Sequence, residues 1–448
     1  MIELKEGDVY EGQIEFSTSG NASLVINEKE IFVYKKNTAN SLHLDKVKVQ
    51  IFKAEKKLEG KVIEVISRFK TEFVGKVQIG KKTIFVVPDS NKIPVDFYIK
   101  GGLKAEHDQK VVVELIKWED TKSPQGKIIK VLGDSGDNNA EMNSIMFEYG
   151  LPVEFPQEVI NESMLVPEVI TEKEISSRKD MRGVTTLTID PVDAKDFDDA
   201  LSVNIISDNK IEVGVHIADV GHYVKPGTKL DDEAFKRATS VYLVDRCVPM
   251  LPERLSNGIC SLKPHEDRLA FSVIFTLDGD GNILNTWQGK TVIHSDRRFA
   301  YEEAQEIIEG NEGDYSTEIR LLDTLARKIR KKRIKEGSIE MGGIEVRFKL
   351  AEDNKKPIGV YFKEQKEANI LIEEFMLLAN KSVAKILSDN QWFNVYRIHD
   401  TPNMEKLQQL VGVCQNFGHD VKIEGEGDDL KKSINQLLKD IKGTPEEN

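Results

Sequence analysis

Five aspartates crowd ten consecutive positions of this chain, directly after a short apolar stretch that reads as a β-strand. They are Asp190, Asp193, Asp196, Asp198 and Asp199. Carboxylates packed at the end of a strand repel one another and raise one another's pKa unless a cation lies among them. Because hard oxygen ligands favour Mg²⁺, Mn²⁺ or Ca²⁺, the cluster predicts a metal site. The alternative is a solvated acidic loop in which aspartate only forms turns.

A calcium-binding EF-hand does not fit either acidic segment of the chain. That loop requires glycine at position six and glutamate at position twelve. Counting from Asp196 puts Leu201 at position six, and counting from Asp278 puts Ile283 there. We therefore interpret the Asp278 stretch as a hairpin turn.

Composition bounds the class of protein. A chain of 448 residues, 31% charged and 39% apolar, predicts a folded protein of about three domains. Its three cysteines are far apart in sequence, so we expect neither a disulfide framework nor a zinc knuckle. This cysteine usage favours a reducing, cytoplasmic location. The polar start lacks the features of a signal peptide and no run of 18 apolar residues occurs, so we expect neither secretion nor a membrane span.

The first 133 residues are predicted to be β-structure that repeats once. Short runs rich in Val, Ile, Phe and Tyr predict strands over Val9–Phe16, Ser23–Ile26, Glu30–Tyr34 and Lys46–Phe52. The pattern returns about 63 residues later: Gly12-Gln-Ile corresponds to Gly75-Lys-Val, and Lys46-Val-Lys-Val to Lys110-Val-Val-Val. We therefore expect two five-stranded barrels of the OB or cold-shock type, over residues 1–58 and 59–133.

Basic and aromatic side chains gather near the junction of the two predicted barrels. The set comprises Lys53, Lys56, Lys57, Lys61, Arg68, Lys70, Lys76, Lys81 and Lys82, with Phe69, Phe73 and Phe85. Such a set suits a single nucleic-acid strand, since cations follow the phosphates and rings stack on unpaired bases. The alternative is core aromatics beneath solvated lysines. Residues 1–133 carry 23 basic and 19 acidic side chains although the whole chain has a net charge of −13, so any attraction for a polyanion is local.

The remaining chain is predicted to be an acidic linker, residues 134–179, followed by a mixed α/β domain over residues 180–448. Strands are expected at Thr185–Ile189, Ala200–Ile206 and Ile211–Ala218, and helices at Tyr301–Ile308, Arg320–Glu336 and Gln365–Leu387. A multi-aspartate Mg²⁺ site beside a nucleic-acid-binding module is typical of phosphodiester hydrolysis by a pair of metal ions.

Three motifs in this order resemble the ribonuclease II (RNB) family, and within it the bacterial ribonuclease R group. They read TIDPVDAKDFDDALS at 188–202, GVHIADV at 214–220 and SVYLVDRCVPMLPERLSN at 240–257, and the resemblance covers essentially the whole chain. It implies a processive 3′-to-5′ exoribonuclease that releases nucleoside 5′-monophosphates and works through structured RNA. The implied cofactor is Mg²⁺, with Mn²⁺ as a substitute.

The same resemblance assigns site residues. The family's D-x5-D-x-D-D pattern falls on four aspartates, of which Asp190, Asp196 and Asp199 would hold metal and Asp198 would act in the hydrolytic step. Tyr242 matches the tyrosine that stacks on the terminal nucleotide. Asp193 falls outside the pattern and is taken as a turn residue.

Matches further along the chain concern the RNA path. Glu373 matches the first glutamate of a helical pair associated with the 3′-terminal nucleotide; we expect it on the apolar side of its helix, with Glu374 as a solvated neighbour. Met341 stands where the family has a second clamping phenylalanine. The remaining matches, read mainly as scaffold or RNA-path residues, are His216, Asp219, Arg397 and His399.

The resemblance also bears on chain length and partners. In the family the catalytic domain continues through an arginine-containing motif and an RNA-binding OB domain, neither of which precedes Asn448, so we expect a chain truncated at its C-terminus. The implied partners are single-stranded and structured RNA with a 3′ overhang, with the ribosome or RNA-decay factors as further candidates and no membrane. The chain is expected to be a monomer. The alternative functions are a non-hydrolytic RNA-binding or remodelling protein and an inactive fragment.

Overall fold

The fold is taken from a computed structural model. It describes residues 4–54, 57–81, 83–119, 123–207, 209–339, 345–352, 356–398, 400, 403–419, 428–441 and 443–444. The chain forms two compact units: Met1–Glu154 with Ala351–Lys356, and Phe155–Leu350 with Pro357–Asn448. Within the described ranges, every helix is too short or too polar to cross a membrane.

The first six strands build one barrel-like sheet whose apolar residues point inward. They are β1 (Val9–Gln13), β2 (Glu15–Phe16), β3 (Ala22–Ile26), β4 (Lys29–Val33), β5 (Lys46–Ala54) and β6 (Leu58–Ser67), in the order β1-β5-β6-β4-β3-β2. All four predicted strands are therefore confirmed. The predicted boundary at residue 58 is wrong, because β6 pairs with β5 and β4 and places Val62 in this core. Charged residues on the solvent side of β6 conceal the strand in the sequence.

The next five strands form a closed barrel of the same design. They are β7 (Glu72–Ile79), β8 (Ile84–Pro88), β9 (Phe97–Gly102), β10 (Gln109–Lys117) and β11 (Gln125–Asp134). The predicted repeat is confirmed, since Gly12 faces Val47 in the first sheet as Gly75 faces Val111 in the second. A Cβ at Gly75 would lie 2.4 Å from the carbonyl oxygen of Val87, so only glycine fits this close strand approach.

The two barrels share a buried polar joint. Asp45, 1% exposed, accepts hydrogen bonds from the backbone N–H of Leu42 at 2.8 Å and of Phe69 at 3.0 Å. The guanidinium of Arg68 pairs with the same carboxylate at 2.5 Å. Leu42 itself is packed in the core of the second barrel, although the sequence places it in the first.

The segment predicted as an acidic linker contains three helices. They are α1 (Asn138–Glu148), α2 (Gln157–Leu165) and α3 (Glu172–Ser176). Asp137 caps α1 by accepting the N–H of Ala140 at 3.0 Å, and α1 packs on β7, β10 and β11. The helices α2 and α3 belong to the second unit.

A seven-stranded sheet is the centre of the second unit. Its elements up to the last sheet strand are β12 (Lys179–Asp180), β13 (Thr186–Asp190), β14 (Asp199–Ser207), β15 (Lys210–Ala218), α4 (Val220–Tyr223), α5 (Lys229–Arg237), β16 (Val241–Tyr242), β17 (Cys247–Val248), β18 (Asp267–Leu277), β19 (Ile283–His294) and β20 (Arg297–Ala300). The sheet order is β12-β19-β18-β15-β14-β13-β20, and β16 and β17 form a separate two-stranded ribbon. The predicted turn at Asp278 is confirmed, since its carboxylate accepts the N–H of Asn282 at 2.8 Å between β18 and β19.

Helices cover one face of this sheet. The remaining elements are α6 (Tyr301–Ile308), α7 (Ser316–Lys335), β21 (Glu345–Leu350), β22 (Pro357–Lys363), α8 (Glu367–Asp389), α9 (Met404–Asn416) and α10 (Asp428–Ile441). The helices α6, α7 and α8 bury Phe375 and their other apolar residues against sheet residues such as Phe275 and Phe299. The three predicted strands of this unit are confirmed within one residue at their ends, and the three predicted helices within four.

An ion pair between α7 and α8 lies within this helical layer. Glu374 is 1% exposed, and both of its carboxylate oxygens accept hydrogen bonds from Arg333, at 3.0 Å from Nε and closer from Nη2. Its neighbour Glu373 is exposed and accepts a hydrogen bond from the side-chain amide of Gln365 at 2.6 Å. The two adjacent glutamates therefore have opposite surroundings.

Glu374→Ala should lower the free energy of unfolding by about 3 kcal/mol, because it removes the buried partner of a half-buried guanidinium. Glu373→Ala should change it by less than about 0.5 kcal/mol, since that side chain lies in solvent. Urea unfolding of the two variants beside the wild type measures both effects. Equal losses from the two substitutions would contradict this account of the helical layer.

Candidate active site

Asp190 ends the strand β13 at the carboxyl edge of the sheet. β13 runs parallel to β20, and Asp190 lies opposite Ala300, the last residue of β20. The carboxyl ends of parallel strands meet at one edge of a sheet, which is where ligand sites form in such folds. Asp190 is 9% exposed, and its Oδ2 atom has no hydrogen-bond partner within the described structure.

The other carboxylates come from the segment that follows, which we call the acidic loop (residues 191–198), and from the start of β14. Burial raises the pKa of Asp190 to about 7, with Asp199 as the next cause. Burial and then Asp198 raise the pKa of Asp199 to about 6, and burial and then Asp196 raise the pKa of Asp198. The mutual repulsion expected from the sequence is therefore present, although burial is the larger cause in each case. Asp193 lies exposed in a turn of the same loop, as predicted.

Tyr242 reaches the aspartates from the ribbon β16–β17. Its hydroxyl donates a hydrogen bond to Oδ2 of Asp196 at 2.8 Å, across 46 residues of sequence. The residue remains 66% exposed. Partial burial, followed by the hydrogen bond and the charge of Asp196, raises the pKa of the phenol. The tyrosine assigned by resemblance therefore lies at the acidic cluster with an accessible ring.

Tyr301 also belongs to this neighbourhood, although the sequence did not single it out. It begins α6 directly after β20. Burial raises the pKa of its hydroxyl to about 12, and the charges of Asp199 and Asp190 contribute. Only the parallel pairing of β13 with β20 brings Tyr301 to these carboxylates, and no spacing in the sequence signals that pairing.

The residues of the cluster suit a hard divalent cation. In the described part of the chain, no three acidic, histidine or cysteine side chains are already arranged to hold one ion. The Oδ2 of Asp190 is buried and has no hydrogen-bond partner in the described structure, and burial raises the pKa values of Asp190, Asp198 and Asp199 even though the charge of Arg298 opposes this at Asp190. Carboxylate oxygens are the ligands that Mg²⁺ and Mn²⁺ prefer, so the donor set fits such an ion.

The predicted burial of the two adjacent glutamates of α8 is wrong. Glu374, expected to be solvated, is the buried residue, and Glu373, expected on the apolar side, is exposed. Glu373 contacts Gln365 and lies 3.9 Å from Arg333. The reason is that α8 turns its Glu374 face toward α7, where Arg333 supplies the counter-charge.

His216 is part of the scaffold. It is fully buried, its Nδ1 lies 2.6 Å from the hydroxyl of Ser272 and its Nε2 2.8 Å from the hydroxyl of Ser202. Burial lowers its pKa to about 3, so the ring is neutral and joins β14, β15 and β18. Asp219 pairs with the buried guanidinium of Arg178 at 2.8 Å and is likewise structural.

Three further residues singled out by the resemblance have simpler outcomes. Arg397 is exposed. Met341 and His399 lie outside the described residues, as do Lys56 and Lys82 of the basic set.

The basic and aromatic set of the first unit divides between surface and core. Phe73 is 2% exposed and stacks on Phe97 at 5.0 Å between ring centroids, so the expectation that it stacks on bases is wrong. Phe69 is 59% exposed. Lys57 lies 3.6 Å from the ring centroid of Phe32. A cationic and aromatic surface therefore exists on these barrels, with fewer rings than the sequence predicts.

Models of known domains match most of the chain. The RNB domain model matches residues 178–448, and a cold shock domain model matches residues 85–156. Ribonuclease R of Thermotoga maritima is 39% identical over 434 residues, which cover 92% of this chain and 61% of that protein. The chain spans between 55% and 61% of the length of the first curated relatives it matches.

Solved structures show the same fold. The structure of Mycoplasma genitalium RNase R in complex with ribose-methylated single-stranded RNA matches with a TM-score of 0.90 at 23% identity, over 98% of this chain and 71% of that chain. The structure of the same protein in complex with double-stranded RNA matches with a TM-score of 0.79 at 25% identity, over 86% and 69% of the two chains.

Without divalent cations, the free energy of unfolding should fall as pH rises from 5 to 8. The raised pKa values mean that folded Asp190 and Asp199 still hold protons that the unfolded chain has lost, so deprotonation destabilises the folded state. Asp190→Asn should remove about 2 kcal/mol of this pH dependence. Urea unfolding in EDTA at pH 5, 6, 7 and 8 measures it.

The opposing contribution of His216, whose buried neutral form loses stability at low pH, is common to both proteins and cancels in the difference. Asp193→Asn, in the same loop but exposed, should keep the wild-type pH dependence. An Asp190→Asn curve parallel to that of the wild type would show that Asp190 holds no proton in the folded state.

Proposed function

This chain belongs to the RNB family, and from that premise we propose that it is a processive 3′-to-5′ exoribonuclease that hydrolyses RNA to nucleoside 5′-monophosphates. The observation that carries the proposal is one cluster of four aspartates, from buried Asp190 to exposed Asp198, with the Tyr242 hydroxyl bound to Asp196. That arrangement provides carboxylates that can bind a metal ion and, beside them, an accessible aromatic ring.

Asp190, Asp196 and Asp199 would hold Mg²⁺, for which Mn²⁺ is a substitute. A pair of such ions, when bound, supplies a water of lowered pKa and stabilises the leaving oxygen of the phosphodiester. Asp198 has the role closest to the reaction: its carboxylate orients the attacking water and accepts its proton. Burial and the charge of Asp196 raise the pKa of Asp198, which makes its carboxylate a better proton acceptor than an ordinary aspartate.

The substrate is gripped by stacking and by charge. The ring of Tyr242 stacks on the 3′-terminal base, and its hydroxyl ties that ring to Asp196. Glu373 is exposed and contacts the terminal nucleotide. The barrels of the first unit bind the incoming strand through their cationic and aromatic surface. The substrates are single-stranded RNA and structured RNA with a 3′ overhang. The protein acts on them as a monomer in the cytoplasm.

Hydrolysis is tested with single-stranded RNA labelled at its 5′ end or, in a parallel reaction, at its 3′ end. In Mg²⁺, the 5′ label should shorten progressively, whereas the 3′ label should appear at once as a mononucleotide. EDTA should stop both reactions, and Asp198→Asn should slow them by about 10³-fold. Asp193→Asn should retain wild-type rates, because that carboxylate lies outside the cluster.

Two results would overturn the proposal. RNA that is bound but remains intact with and without Mg²⁺ would leave a non-hydrolytic RNA-binding protein. Internal products from the 5′-labelled strand would indicate an endonuclease instead.

A further inference from the structure

We propose that Ser261 and Arg298 are positioning residues that hold the acidic loop in the shape its aspartates need to bind divalent cations. Each residue forms hydrogen bonds with the backbone of residues 191–198, and the positive charge of Arg298 also acts on Asp190. The kinetic part of this inference rests on the proposed function, whereas its structural and metal-binding parts stand alone.

Ser261 forms hydrogen bonds with the backbone on both sides of Asp196. It is completely buried, and its hydroxyl accepts a hydrogen bond from the N–H of Phe197 at 3.0 Å and donates one to the carbonyl of Lys195 at 2.9 Å. A serine hydroxyl has one donor and two acceptor sites, so both bonds form at once. The backbone N–H of Leu262 adds a bond to the carbonyl of Phe197 at 2.8 Å. The peptide groups on both sides of Asp196 are therefore fixed.

Arg298 holds the beginning of the same loop. Its Nη2 atom donates to the carbonyl oxygens of Pro191 at 2.5 Å and Val192 at 2.9 Å. Its guanidinium also lies 5.6 Å from the ring centroid of Phe197. Because Arg298 stands in β20 opposite Thr188 of β13, the sheet register aims it at the residues that follow Asp190. One cation therefore joins the two ends of the loop.

Such supports are needed because the loop repels itself. Asp196, Asp198 and Asp199 lie within four consecutive positions, so their like charges repel and the free energy falls when the carboxylates move apart. Hydrogen bonds to backbone carbonyls and amides oppose that spreading without competing for the carboxylate oxygens. Groups that orient metal ligands in this way typically contribute 10- to 100-fold to metal affinity.

The test compares Ser261→Ala and Arg298→Gln with two matched controls. Ser295 is also buried, but its hydroxyl has no hydrogen-bond partner in the described structure, and Arg297 pairs with Glu303 and Asp314 instead of the loop. Calorimetric titration with Mn²⁺, without RNA, should show about 10- to 100-fold weaker binding for the two test variants. Ser295→Ala and Arg297→Gln should stay within twofold of the wild type.

Rescue and kinetics separate positioning from a general loss of structure. Arg298→Lys keeps the charge but not the forked donor, so it should recover part of the lost affinity. In RNA hydrolysis, kcat should fall at fixed Mn²⁺ and recover as Mn²⁺ is raised, while KM for RNA stays unchanged. Hydrogen exchange of residues 191–198 should be faster in both test variants than in the controls.

The Mn²⁺ affinities of the test and control variants distinguish a positioning role from a general loss of structure. Folded test variants that bind Mn²⁺ within twofold of the controls would overturn the inference, as would equal losses in test and control variants. If Ser261→Ala does not fold, Ser261→Cys, nearly isosteric but a weak hydrogen-bonding group, takes its place. The two proposals can also fail separately. If the wild type leaves RNA intact but the test variants still bind Mn²⁺ more weakly than the wild type, the inference is supported and the proposed function is overturned.

Discussion

Carboxyl groups at the end of β13 and the start of β14 are withdrawn from water beside one another, and at Asp190 this outweighs the opposing positive charge of Arg298. Burial raises the pKa of these carboxyl groups and so favours their protonated form, and the charges of neighbouring carboxylates raise the pKa further. A free chain would relieve that cost by spreading the segment into solvent. The seven-stranded sheet prevents this, since β13 is flanked by β14 and β20 and its residues are buried throughout. The stability of the surrounding sheet and helices is what maintains an arrangement that is unfavourable by itself.

Much of this architecture could be predicted from the sequence, because hydrophobic periodicity and local repeats are local signals. The strands near Gly12 and Gly75, the turn at Asp278 and the helices that follow β20 were all predicted on that basis. The boundary between the barrels was misplaced because β6 alternates apolar and charged residues, and the charged face was read as a junction. Local patterns thus locate elements better than they locate the ends of domains.

The site was predictable only where the functional residues are neighbours in sequence. The aspartates were found because they crowd one segment, whereas Tyr242 needed the resemblance and Tyr301 was not found at all, since sheet pairing brings it to the site. Which of two adjacent glutamates is buried depends on the rotation of α8 against α7, and this is decided by the position of Arg333. Phe73 was assigned to a surface for the same reason: its burial against Phe97 is a tertiary fact.

The position of Leu42 makes the two barrels thermodynamically dependent on each other. A residue from the chain of the first barrel fills part of the interior of the second, and the Asp45 carboxylate closes the joint beside it. Dividing the chain after Ser67 would therefore leave the second barrel with a void, and the first with an apolar side chain in water. Each barrel therefore contributes to the stability of the other through Leu42 and Asp45.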